Sequence, residues 1–294
     1  MKKSRKNIFK RICCILIPAL LLTSLFSCKS NTDTDSTQQS TINTSASDTS
    51  DTTTSVLNST SDDANPTAAG LYDYTAPFAD AAPVIDGKGD DAAWEKAEWK
   101  PIDQLWLGDK LPDPSVYSGR YKIVWTEDRL YYLVEIVDNY ISTTRKDTPL
   151  VEPYNDDCLE LFIDEDGTSG DYLNTYNAFA YHMSFGGTNV AALNSQGQVQ
   201  LYNDHLHYVV GKDGDTYMWE VEMKVFDKTY DENSTNNVPV KLYDGKKMGF
   251  AVAYCDANET NSREYFIGSV FIPGDDKNVA YKDASVFAKL TLVK

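Results

Sequence analysis

The residues best placed to do chemistry in this chain lie in one stretch, Asn155-Asp156-Asp157-Cys158-Leu159-Glu160-Leu161-Phe162-Ile163-Asp164. Carboxylates here could accept paired hydrogen bonds from neighbouring hydroxyls or hold a hard cation. Leu159, Leu161 and Ile163 alternate at period two, which predicts a strand with these three towards a core and Cys158, Glu160 and Phe162 on the other face. A carboxylate in mid-strand is costly to bury unless it is paired, ligated or solvated. Glu160 is therefore either a solvated residue on a half-exposed strand or part of a recognition site, with Pro153-Tyr154 just upstream.

Other constellations are thinner. The loop Asp164-Glu165-Asp166-Gly167-Thr168-Ser169-Gly170-Asp171 offers hard oxygens, so Asp164, Asp166 and Asp171 are candidate calcium ligands; a solvated acidic loop is the plain alternative. It does not match an EF-hand, because Gly167 comes too early and no glutamate closes the loop. His205 and His207, with Asp204 nearby, would alternate onto one side of a strand as a transition-metal pair. The chain has three histidines and no Cys-x-x-Cys-His signature, which argues against haem on His182, Met183, His205 or His207. Glycoside hydrolysis needs two carboxylates across a cleft, but 44 acidic residues make such a pair nonspecific. No Ser-His-Asp pattern, phosphate loop or nucleophile elbow stands out.

The elements that would position these residues are strands. Residues 121–125 and 130–138 read as a hairpin, and 179–185, 198–201, 206–210, 217–225, 248–255, 265–271 and 286–293 as further strands, with Gly-containing turns between several of them. Val84 and Ile85 begin a strand, and Asp90-Asp91 cap a short helical turn that buries Trp94. Three prolines between Trp99 and Tyr117 predict irregular chain. About ten strands without a long amphipathic helix predict an all-β fold, an antiparallel β-sandwich of jelly-roll type over 75–294.

Upstream the composition changes twice. A basic start, an apolar run from Ile12 to Phe26 and Leu25-Phe26-Ser27-Cys28 form an export leader (1–28) ending in a bacterial lipobox, with Cys28 as the lipid-modified residue. Residues 29–74 are rich in Ser, Thr and Asp and read as a disordered tether. Loss of the leader leaves 21 basic against 44 acidic residues, a net charge of −23 with histidine neutral, which disfavours nucleic acid and anionic membrane surfaces as partners. Only Cys158 and Cys255 remain in the folded part, as one disulfide or two buried thiols.

The order of motifs, Ile85-Asp86-Gly87 with Asp90 and Trp94, Val124-Trp125 with Leu130-Tyr131, Val137-Asp138, the stretch from Asp157 to Asp164, Trp219-Glu220-Val221-Glu222, Gly249-Phe250 with Asp256, and Leu290-Thr291-Leu292, resembles the family 9 carbohydrate-binding modules and their DOMON-like sandwich relatives. The resemblance implies a calcium-containing sandwich that grips the end of a glucan or xylan chain between two aromatic rings. It sets Tyr154 as the first ring and Glu160 as the hydroxyl-binding carboxylate. It puts Ala180 and His182 where the family has arginine and asparagine, and Ser269 where it has a second tryptophan, with Phe271 as the substitute ring. The expectation is an extracytoplasmic lipoprotein, facing the cell exterior or periplasm, that captures oligo- or polysaccharides for neighbouring hydrolases or transporters without catalysis. The alternatives are a glycan-degrading enzyme component and a scaffold or haem-binding relative.

Overall fold

The structure, a computed structural model, describes residues 70–294. The leader, Cys28 and all of the expected tether except 70–74 lie outside the described residues. In chain order the strands are β1 (Tyr74–Pro77), β2 (Lys100–Pro101), β3 (Gln104–Leu107), β4 (Tyr117–Thr126), β5 (Arg129–Asp138), β6 (Cys158–Asp164) and β7 (Phe179–Ser184). They continue with β8 (Val190–Leu193), β9 (Val199–Leu201), β10 (Leu206–Asp213), β11 (Thr216–Met223), β12 (Lys247–Ala257), β13 (Arg263–Gly268) and β14 (Ala288–Val293). One sheet runs β1-β14-β12-β6-β7-β8-β9, with β13 on β12 and β3 on β13; the other runs β10-β11-β5-β4-β2.

The two sheets form the predicted sandwich, and its core follows from register. Leu159 pairs with Tyr254 and Ile163 with Phe250 across β6 and β12, so these side chains share a face. Tyr254 stacks on Tyr117 at 5.7 Å, and Phe250 meets Tyr121 edge-on at 6.0 Å, both rings coming from β4 of the opposite sheet. Leu159, Leu161 and Ile163 therefore point into the core as expected. The opposite face of β6 is also covered, and the whole strand is buried. Trp106 of β3 packs on Phe162 at 5.9 Å and on Phe266 of β13 at 5.0 Å, so its ring covers the outer face of the sheet there. Gly268 permits this approach, because a Cβ there would lie 2.1 Å from the Trp106 ring.

Four local expectations change. The first strand is β1, paired parallel with β14, whereas Val84 and Ile85 are not in a strand. The proline-rich stretch contains β3, held as an edge on β13. The β4–β5 turn spans two residues rather than four, since Thr126 pairs with Arg129. The helical turn of residues 92–94 buries Trp94, but Asp91 makes no side-chain cap and accepts the Val84 N–H instead.

That entry segment is fixed by Glu220, a fully buried residue of β11. Its carboxylate accepts N–H bonds from Asp86 (3.0 Å), Gly87 (2.7 Å), Gly89 (3.2 Å) and the Trp94 indole (3.2 Å). The Ile85-Asp86-Gly87, Trp94 and Trp219-Glu220 motifs are thus one interlocked unit. Four donors offset the cost of burying the charge. Gly87 has φ +80° and sits so close to Gly211 that a Cβ on either would strike the other's backbone.

His205 is buried among aromatic rings, 4.2 Å from Phe226 and 4.9 Å from Tyr230, with Nδ1 2.7 Å from the Tyr181 hydroxyl. His207 is exposed, so the two histidines do not form a metal pair. Burial, aided by Lys224 and opposed by Asp204, lowers the His205 pKa to about 4. The unfolded chain then binds a proton that the native state refuses, so this contribution is complete above the unfolded value of 6.5 and is lost as pH falls towards 4. We predict that His205 accounts for a loss of about 3 kcal/mol over that window. Urea unfolding at several pH values checks this: His205→Gln should show a shallower acid slope than the parent, and identical slopes would reject the assignment.

Candidate functional site

A cavity of about 370 Å³ opens beside β6 and β7, with Tyr154, Glu160, His182, Arg263, Phe266 and Tyr281 in its lining. Register builds its floor: Glu160 pairs with His182 on β7 and with Ala253 on β12. Glu160 is 1% exposed. Its Oε1 accepts from His182 Nε2 at 2.9 Å and from the Cys255 thiol at 3.0 Å, and it lies 4.0 Å from the Arg263 guanidinium. Burial drives the Glu160 carboxyl pKa up, but His182, Arg263 and Cys255 together outweigh it and hold the carboxyl below its usual range. Glu160 is therefore the buried, paired form rather than a solvated one.

The rim is aromatic. Tyr154 stands on a 3₁₀ turn, Pro153–Asn155, which follows Glu152 in the left-handed region at φ 45°. Its ring is 37% exposed, as is that of Tyr281. Arg263 lies against both Tyr154 (5.1 Å) and Phe266 (4.5 Å), so one cation links the rim to the floor. The amides of Asn174, Asn194 and Asn278 add polar groups to the lining. The arrangement offers flat apolar faces at the mouth and hydrogen-bonding groups below them.

Of the sequence-predicted binding residues, Tyr154, Glu160 and His182 meet in this cavity. Phe271 does not line it; its ring is exposed and has Lys277 5.6 Å away. Ser269 is buried and exchanges hydrogen bonds with Val252, its hydroxyl accepting that residue's N–H at 2.9 Å. Arg263 and Tyr281 were not legible as site residues. Nothing in spacing ties position 263 to position 160, and Tyr281 sits in an irregular loop after β13.

The acidic residues separate by role. Asp156 and Asp157 are fully buried and hold the loop before β6: Asp156 accepts from Thr144 Oγ1 at 2.8 Å, and Asp157 accepts the N–H groups of Ser142 and Ala257. Asp164 accepts the Ser169 N–H, Asp166 accepts from Thr168 and faces Lys228, and Asp171 accepts the Leu173 N–H. A different set, Asp138, Asp157 and Asp256, brings carboxylate oxygens within 4.8 Å of one another. Burial, with the neighbouring carboxylates after it, raises Asp157 to about 8 and Asp256 to about 7. An all-oxygen set whose charges repel one another suits a hard cation such as calcium.

A two-sheet sandwich with an aromatic mouth over a buried polar floor defines a ligand-binding β-sandwich module. The chain belongs to the carbohydrate family 9 binding domain-like family, whose sequence model matches residues 85–294. A family 9 carbohydrate-binding module from Caldicellulosiruptor kristjanssonii, solved in complex with cellotriose, superposes with a TM-score of 0.54 at 19% identity, covering 75% of this chain and 93% of that one. The same module in complex with glucose gives the same score over 95% of its length. A Bacteroides uniformis protein described as a candidate carbohydrate-binding protein aligns at 12% identity and a TM-score of 0.50, over 75% of this chain and 98% of that one. These likenesses are of fold. Exoglucanase XynX of Acetivibrio thermocellus is 25% identical over 111 residues, 36% of this chain and 9% of the exoglucanase.

Arg263 is predicted to be required for Glu160 to stay buried and ionised. Arg263→Ala should lower stability by about 3 kcal/mol in urea unfolding, the usual cost of stranding a buried charge. A loss below about 1 kcal/mol would show that His182 and Cys255 suffice.

Proposed function

We propose that this chain is a non-catalytic, membrane-tethered carbohydrate-binding lipoprotein that captures the ends of glucan- or xylan-type chains for degradation or uptake. The observation that carries the reading is the cavity in which Tyr154 and Tyr281 stand over Glu160, His182 and Arg263. An aromatic face stacks on the C–H face of a pyranose ring, and a carboxylate accepts hydrogen bonds from adjacent hydroxyls. The bound sugars of the Caldicellulosiruptor module support this ligand class. Tyr281 takes the second-ring role that the sequence assigned to Phe271. Lipidation at Cys28 would anchor the protein outside the cytoplasm, with residues 29–74 as its tether, and neighbouring hydrolases or transporters would take the captured chain.

Calcium enters this reading as a structural ion. Asp138, Asp157 and Asp256 would hold it and so fix the base of the loop that carries Tyr154. Chelation is then expected to lower the thermal midpoint, and added Ca²⁺ to restore it in the parent but not in Asp157→Asn. A midpoint indifferent to chelator and Ca²⁺ alike would remove calcium from the account.

Calorimetric titration with cello- and xylo-oligosaccharides tests the binding role. Tyr154→Ala and Tyr281→Ala should each weaken binding about tenfold, and Glu160→Gln by ten- to a hundredfold, while Phe271→Ala leaves it unchanged. Release of reducing ends during the titration would favour an enzyme, and no binding across the panel would favour a scaffold.

A further inference from the structure

The two cysteines of the folded domain meet beneath the cavity. Cys158 and Cys255 are direct cross-strand partners on β6 and β12. Glu160, two residues along β6, points to the same face as Cys158. One ligand atom from each of the three lies within 4.8 Å of the others, and all three residues are buried. His182 Nε2 lies 2.9 Å from Glu160 Oε1 but outside this three-residue group, so it orients the carboxylate rather than joining the cluster. A tetrahedral zinc site, with Zn–S near 2.3 Å and Zn–N or Zn–O of about 2.0–2.2 Å, sets its ligand atoms roughly 3.3–3.8 Å apart. The cluster spans that range, with Cys255 Sγ 3.0 Å from Glu160 Oε1 and all three atoms within 4.8 Å of one another.

Charge supports the same conclusion. Two thiolates and one carboxylate carry three negative charges. A divalent ion and the Arg263 guanidinium, 3.5 Å from Cys255 Sγ, carry three positive ones. A buried site is tolerable when it is neutral in this way. Arg263 would also donate to a metal-bound thiolate, the outer support that such ligands need.

We infer that Cys158, Cys255 and Glu160 form a site for one thiophilic divalent cation of the zinc type, with the fourth position left to a solvent molecule. Binding forms two metal–sulfur bonds and releases the two thiol protons to solvent, with no change of oxidation state. The ion reaches the site from the cavity, which Glu160 and His182 line. Ligation takes up the carboxylate assigned above to sugar hydroxyls, so metal and sugar compete for Glu160; this consequence alone rests on the sugar-binding reading.

The test uses the full chain with Cys13, Cys14 and Cys28 replaced by serine, reduced, freed of metal and titrated with Co²⁺ without sugar. One Co²⁺ per chain should bind and give thiolate-to-cobalt charge-transfer absorption with the visible bands of a tetrahedral site, and one equivalent of Zn²⁺ should abolish both. Glu160→Gln should weaken Co²⁺ binding at least tenfold, and Cys158→Ser with Cys255→Ser should remove the charge-transfer bands. The unsubstituted pair needs no variant to fold, so absence of those bands in the reduced parent overturns the site. So does their persistence without the cysteine pair, or isolation of the protein with the pair already joined as a disulfide. Because the spectrum is read without sugar, failure of carbohydrate binding would leave it untouched.

Discussion

The structure depends on keeping Glu160 charged inside a strand that is buried on both faces. Desolvation alone would neutralise it or expel it. The compensation comes from three places distant in sequence: His182 across β7, Cys255 from β12 and Arg263 at the start of β13. Each supplier must be held, and the outer layer follows from that need. β13 turns back on β12 and brings Arg263 over β6, the rings of Tyr154 and Phe266 fix its guanidinium, and β3 with Trp106 covers what remains.

The second buried glutamate shows why this arrangement reads as a site. Glu220 is ringed by four N–H donors from one short segment and faces no cavity lining. It is a fastener between the chain's entry and β11. Glu160 shares its partners with neighbours and borders open space, so hydrogen-bonding capacity remains on the cavity side. Burial of a carboxylate is common to both, and the difference lies in whether its donors are saturating and fixed.

The alternation Leu159, Leu161, Ile163 was enough to orient β6, because period two is a property of the strand itself. The β4–β5 hairpin was legible for the same reason. β3 was hidden because prolines flank it and its partner is β13, more than 150 residues on. β1 was hidden because a four-residue strand in a parallel pair carries little local pattern. Glu160 and Tyr154 could be picked out by oddness and proximity within one stretch. Arg263 and Tyr281 could not, since a lone arginine and a loop tyrosine acquire meaning only when β13 pairs beside β12 and the Arg263 side chain reaches Glu160 on β6.

Charge completes the picture. The chain is strongly acidic, −17 over its full length, and such a surface repels anions at a distance. Within the cavity the balance differs: Glu160 is met by His182 and Arg263, and the remaining polar lining is amide and hydroxyl. A ligand that enters must exchange water for a charge-balanced set of donors and acceptors and lie against Tyr154 and Tyr281. A neutral polyol ring meets both conditions, whereas an anion would have to approach against the surface charge and displace Glu160 from Arg263. The acidic exterior and the charge-balanced floor thus select for the same uncharged class of ligand by separate physical routes.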